Sequence, residues 1–254
     1  KVTYNELLYL LSSLLSQPTP AQQGSTTAYK WTFVSDTDGE DAGKLFTVEQ
    51  GDANSAWRCL DMRVSGLEFT FNRNEVSVSG TGLGGALEPG ITLTASPTVL
   101  PAKPVLPKHL KVYLADTQAG LASATAMTRG FSLIWALREK VQQAWPIGQA
   151  PVIVEKGPTL ESRLKVATDT VGIGLISTMR AGDTKWLRLK AEGGTIAGTY
   201  KYLFQIDFPA QISNMSKFED NEGIYAVEYT MTGIDDSTWG KSFQIDVICD
   251  LQTL

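Results

Sequence analysis

Alternation between apolar and polar residues dominates this chain. Trp31 and Phe33 alternate with Lys30 and Thr32, and Leu67, Phe69 and Phe71 alternate with Glu68, Thr70 and Asn72. Tyr200, Tyr202, Phe204, Ile206 and Phe208 keep one parity, as do Tyr225, Val227, Tyr229 and Met231. Phe243, Ile245, Val247 and Cys249 continue the habit. A period of two carried by aromatic and β-branched residues predicts antiparallel strands with one buried face. Phe131, Leu133, Trp135 and Leu137 fit the same period, and Gly130 with Ser132 favours a strand there over a helix.

Helical spacing occurs at two places. Leu7, Leu8, Leu11, Leu14 and Leu15 fall on one helical face, with Thr3 and Glu6 at capping-box spacing. Lys1 followed by an apolar run also has the outline of a secretory leader, but an acid within it speaks for a docked helix. The missing initiator Met suggests trimming upstream of Lys1. The second helix is expected over 171–180, started by Asp169 or Thr170 and closed by Arg180 and Gly182.

The order of elements then repeats. A helix over 4–15 precedes strands at 29–35 and 44–50, a hairpin at 57–72 and a strand at 75–80. The helix at 171–180 precedes strands at 185–191 and 199–208, a hairpin region at 211–218 and a strand at 223–232. This pattern predicts a mostly β protein of two related antiparallel β-sandwich copies, 1–80 and 109–254. Five prolines between Thr81 and Lys108 predict a linker or arm over 81–108.

Composition narrows the function. The 254 residues carry a net charge of −5 without a basic run, which disfavours sequence-independent nucleic-acid binding. No apolar stretch approaches the ~18 residues of a membrane span. Cys59 and Cys249 read as small apolar strand residues and leave the redox compartment open. Gly80, Gly82 and Gly85 spell G-x-G-x-x-G, but Pro89 and Gly90 leave no room for the helix a dinucleotide needs. The glycines are expected to end a strand and release the chain into a loop.

His109 is the sole histidine, too little for a zinc site and without a relay partner at useful spacing. The acidic run from Asp36 to Asp41 begins like a calcium loop, but Thr47 stands where the closing glutamate belongs. It reads as an acidic hairpin tip. Asn214-Met215-Ser216 is a formal glycosylation sequon that acquires meaning only on a secretory route. No catalytic motif, cofactor or metal is expected, and the chain is read as not an enzyme.

Long alternating strands have edges, and edges pair with other chains unless blocked. Identical subunits remove them by closing into a ring. The stretch WRCLDMRVSGLEFTFNRNEVSVSGTGLGGAL resembles a segment of the tail tube proteins of long-tailed bacteriophages. EYTMTGIDDSTWGKSFQIDVIC is similar to their closing hairpin, and HLKVYLADTQAGL resembles the strand opening their second half. The resemblance implies a tail-tube β-sandwich or half-barrel flanked by short helices, six folds to a ring, rings stacked into a tube, and DNA passing through without specific binding. It implies self-association as a trimer of duplicated folds or a hexamer, other tail proteins (tape measure and terminator) as partners, assembly in the host cytoplasm and residence in the virion. Acidic residues on polar strand faces, Glu68, Glu75, Asp207 and Glu228, are then candidates to face the lumen and repel phosphate. The alternative is a secreted β-sandwich that binds a ligand such as carbohydrate through Trp57 or Trp186.

Overall fold

The computed structural model describes residues 2–34, 42–138, 140–148, 152–157 and 159–254. The expected acidic tip at Asp36–Asp41 lies outside the described residues. The protein is mostly β, built from large antiparallel sheets.

In chain order, helix α1 (Tyr4–Leu14) is followed by β1 (Ala21–Gln22), β2 (Tyr29–Val34), β3 (Phe46–Gly51), β4 (Ala56–Asn72), β5 (Val76–Leu83) and β6 (Ala86–Pro89). Next come β7 (Leu110–Ala115), β8 (Gly130–Arg138), β9 (Val141–Ala144), β10 (Val152–Glu155) and β11 (Thr159–Ala167). Helix α2 (Thr170–Ala181) precedes β12 (Thr184–Ala197), β13 (Tyr200–Met215), β14 (Glu219–Asn221), β15 (Ile224–Gly233) and β16 (Gln244–Cys249).

Both helices start where the sequence predicts. The Thr3 hydroxyl accepts from the Glu6 backbone N–H at 3.1 Å, the N-cap half of a capping box, and donates to the Glu6 carboxylate at 2.7 Å. Asp169 caps α2 by accepting from the N–H groups of Val171 and Gly172. Leu8, Leu11, Leu14 and Leu15 of the α1 stripe are fully buried.

Strand β13 is the hinge of the architecture. Its Leu203–Asp207 stretch pairs with β16, whereas Ala210–Met215 pairs with β15. Pro209, which has no N–H to donate, falls between the two pairings, where no ladder bond to either neighbour is forfeited. The sheet therefore runs β7–β12–β13–β16–β2–β1 on one side of this hinge and β13–β15–β11–β8–β4–β5 on the other. The two halves face each other across aromatic contacts. Phe204 of β13 meets Phe69 and Phe71 of β4 at centroid distances of 5.3 and 6.2 Å, and Phe243 meets Trp135 edge-on at 5.5 Å.

Several expected boundaries change. The hairpin expected at 57–72 is one long strand, β4, whose first part pairs with β3 and β6 and whose second part pairs with β5 and β8. Asp61, at φ 50°, lies at the changeover. The hairpin region at 211–218 is largely the end of β13. Expected counterparts also pair differently: β12 and β13 are neighbours, whereas β2 lies beside β16 and β3 beside β4. Strands from 1–80 and 109–254 interleave in one sheet and line one core.

The glycine run also differs from expectation. β5 continues through Gly80 and Gly82 to Leu83, and β6 begins three residues later. A Cβ at Gly80 would lie 2.7 Å from the Gly66 carbonyl, and one at Gly82 would lie 2.6 Å from Cε of Met62. The glycines let β5 lie tightly along β4; they do not release a loop. Within the predicted linker, β6 pairs with β4, and residues near Pro104 strap the start of α1. Tyr4 N–H donates to the Lys103 carbonyl and Val105 N–H to that of Val2.

Candidate assembly surface

Parity places the outward face of the second half-sheet in regular rows. Across neighbouring strands, Glu68, Ala136, Glu161 and Thr232 align. Thr70, Ile134, Arg163 and Thr230 form the next row, and Asn72, Ser132, Lys165 and Glu228 the third. Ser77 and Ser79 of β5 extend the first two rows beside Thr70 and Glu68. The face is thus rich in hydroxyls and carries three carboxylates, Glu68, Glu161 and Glu228.

Three cations stand among them. Arg138 pairs with Glu68, Arg163 with Glu161 at 3.4 Å, and Lys165 reaches Glu219 at 3.5 Å. The four predicted lumen residues therefore separate. Glu68 and Glu228 share this face, and Glu75 is exposed at the turn into β5. Asp207 belongs to the outward face of the other half-sheet, where it is buried. It accepts two bonds from Arg188, at 2.7 and 2.8 Å, and one from Gln205 at 3.0 Å. The hydrogen-bonding carboxylate raises the Arg188 guanidinium further above its ordinary range. Asp207 thus supplies an internal ion pair, not a free repelling charge. The cations were legible, since Arg163 and Lys165 keep the parity of Glu161.

The margin next to this face is β5. One side of it pairs with β4 over the whole strand, and among the described residues no strand pairs with the other. Residues 76–83, VSVSGTGL, contain no charge and no proline, the usual guards of an exposed edge. The opposite margin, β7, is partly covered, because Met127 N–H donates to the Val112 carbonyl.

Among the described residues no group of three His, Cys, Asp or Glu side chains could hold a metal. His109 ends a short 3-10 turn, where burial and then the neighbouring Lys108 lower its pKa. Cys59 and Cys249 are unpaired thiols, and burial pushes Cys249 up to about 11. Trp186 is buried edge-on against Trp239 and Trp57 is half-buried, so neither is a freely exposed platform for a sugar.

Sequence reasoning missed a separate two-stranded hairpin, β9–β10, whose root is clamped by buried charge. Glu155 accepts from Arg63 at 2.6 Å and faces Lys140 at 3.5 Å, with all three side chains at most 10% exposed. Arg63 also donates to the Ser13 carbonyl at the end of α1. Glu155 lies 92 positions from Arg63 and 15 from Lys140, separations that no local period could announce. The chain matches no protein-family model and no curated protein.

Proposed function

We propose that this chain is a structural subunit that closes into rings and stacks them into a hollow tube, as tail tube proteins of long-tailed phages do. The observation that carries the reading is the unguarded, unpaired margin of β5 beside a regular polar face. Unsatisfied backbone groups along such a margin are a template for another strand. A ring of identical copies satisfies every one of them, because a heterologous contact that closes leaves no free end. In that arrangement the sandwich supplies the wall, and the hydroxyl-rich face of the second half-sheet lines the lumen. The shared core within each chain favours six subunits per ring over three. The tube would reside in the virion and meet the other tail proteins at its ends, its role being structural, without catalysis.

The same face sets how DNA is treated. Its cations and carboxylates balance, so passing phosphates meet no net positive strip that would release counterions and hold them. The chain's net charge of −5 adds weak repulsion at longer range. Duplex therefore slides without adhering.

Negative-stain microscopy of the purified chain tests the proposal. Hollow filaments of regular diameter are expected. Monodisperse monomers at high concentration would overturn it, as would rings that persist after Ser79→Pro and Thr81→Lys together disable the β5 margin.

A further inference from the structure

The inward face of β5 changes character along its length. Val76 and Val78 stand opposite Phe71 and Phe69 of β4, whereas Gly80 and Gly82 stand opposite Leu67 and Val64 with no side chain to offer. Side chains of β4 take the space instead. Cδ2 of Leu67 would lie 2.8 Å from a Cβ on Gly80, and Cε of Met62 would lie 2.6 Å from one on Gly82. Apolar atoms of β4 thus reach toward the margin of the sheet. Beside them is a hollow of about 200 Å3, walled by Leu10 of α1, Met62, Val64, Leu67 and Val78 and by the β5 stretch from Ser79 to Gly82. Ser79, Gly80, Thr81 and Gly82 are exposed, on the side of β5 that no strand pairs with among the described residues.

Two features define what fits there. Among the described residues no charged side chain lines the hollow, and at about 200 Å3 it is smaller than the ~300–1,000 Å3 of small-molecule sites. A single aliphatic side chain is in scale with it. The backbone beside it is a row of donors and acceptors that only an extended chain satisfies along its length. A lipid or a free small molecule would fill the hollow and leave that row unpaired. Strand addition meets both demands at once, since the ladder gives affinity and a pocket for an alternate side chain gives specificity.

We infer that β5 is completed by an added strand that lowers one aliphatic side chain into the hollow at Gly80 and Gly82. Alternate residues of that strand turn the other way, beside Ser77 and Ser79, where polar side chains continue the hydroxyl rows. A charge at the inward position would be desolvated against Leu10 and Leu67 without a partner, and the joint therefore rejects it. In the ring proposed above the added strand belongs to the adjoining subunit. The inference rests on that reading and adds the side chain by which the joint recognises its partner.

Two measurements on the full chain test it. At concentrations too low for assembly, hydrogen exchange over residues 76–83 is followed while a capped peptide is added, either Thr-Val-Thr-Leu-Thr-Val-Thr or the same sequence with Asp in place of Leu. The leucine peptide is expected to slow exchange at a concentration at least about tenfold below that of the aspartate peptide, the scale of a hot-spot side chain. Separately, Leu10→Asp puts a charge in the wall of the hollow and is expected to raise the protein concentration at which rings appear at least about tenfold, whereas Leu10→Met leaves it unchanged. The peptide comparison is made on the unaltered chain and does not depend on the variant folding. Equal protection by both peptides, or protection by neither, would overturn the socket. Rings whose threshold ignores Leu10→Asp would also overturn it and leave the ring standing. Discrimination between the peptides by a chain that never forms rings would uphold the socket and sink the ring.

Discussion

Glu155 is a single carboxylate facing two buried cations, Arg63 at 2.6 Å and Lys140 at 3.5 Å. Replacing it by alanine removes a carboxylate that two poorly solvated cations face. Breaking a buried pair from one side costs about 3–5 kcal/mol. Glu155→Ala is therefore expected to lower the urea midpoint markedly, whereas Glu222→Ala, whose partner Arg73 is as exposed as itself, leaves the midpoint unchanged. Glu192 offers a pH handle. Hydrogen bonds from Lys201 and then Lys190 lower its pKa from 4.5 to about 2. A depressed carboxylate contributes stability that is complete above the unfolded value and lost as pH falls through the folded one. The loss accordingly falls between pH 4.5 and about 2. Its side chain is 39% exposed, so solvent screening holds the contribution below about 1 kcal/mol. Glu192→Gln is expected to flatten that part of the stability-versus-pH curve and leave pH 7 behaviour nearly intact. An unchanged acid limb would refute this role.

Helix α2 separates two uses of one residue type. A Cβ on Gly172 would run into the Ala167 carbonyl, and the Gly172 carbonyl itself accepts a 2.6 Å bond from the buried Tyr229 hydroxyl. A Cβ on Gly174 would meet nothing within 4 Å. Gly174→Ala is expected to raise stability by about 0.5–1 kcal/mol through helix propensity. Gly172→Ala, the same chemical change two residues earlier, is expected to lower the thermal midpoint because the helix must back away from β11. Equal effects at both sites would show that α2 is not pressed against the sheet. Such contacts explain what the sequence could and could not disclose. Strand faces were legible because burial imposes parity, as with Phe204, Ile206 and Phe208, all fully buried. β11 was missed because Ser162 interrupts its apolar parity at a core position where the side chain is nonetheless buried. The unity of β4 was missed because a strand that changes partners near Asp61 carries two local patterns, and a local pattern reads as two elements. Of the expected lumen acids, Glu75 fell in the turn before β5, and parity says only which side of its own strand a residue takes. It did not give which half-sheet that strand belongs to, and Asp207 fell on the other one.

At the scale of the whole molecule, the interleaving of strands decides how the chain unfolds. β2, from the amino-terminal segment, pairs along β16, where Phe33 opposes Ile245 and Trp31 opposes Val247, all fully buried. The Trp31 indole N–H donates to the Leu251 carbonyl at 3.0 Å, tying that strand to the carboxyl end. Between the same halves, Leu67, Phe69 and Phe71 of β4 line up with Leu137, Trp135 and Leu133 of β8. A fragment beginning near residue 109 would expose those apolar faces and leave β16 and β8 each without one of its two neighbours. Burial of a large apolar side chain stabilises by about 1.5–3 kcal/mol. Losing α1, β2 and β4 together thus exceeds the ~5–15 kcal/mol of a whole domain's stability. The intact chain, at subunit concentrations too low to assemble, is expected to unfold in one transition whose near- and far-ultraviolet signals coincide. The 109–254 fragment is expected to show no cooperative melt and broad, uniform amide resonances. Two separated transitions, or a folded fragment, would restore the division at residues 81–108. They would also return the ring to three duplicated subunits, since each copy would then own a core of its own.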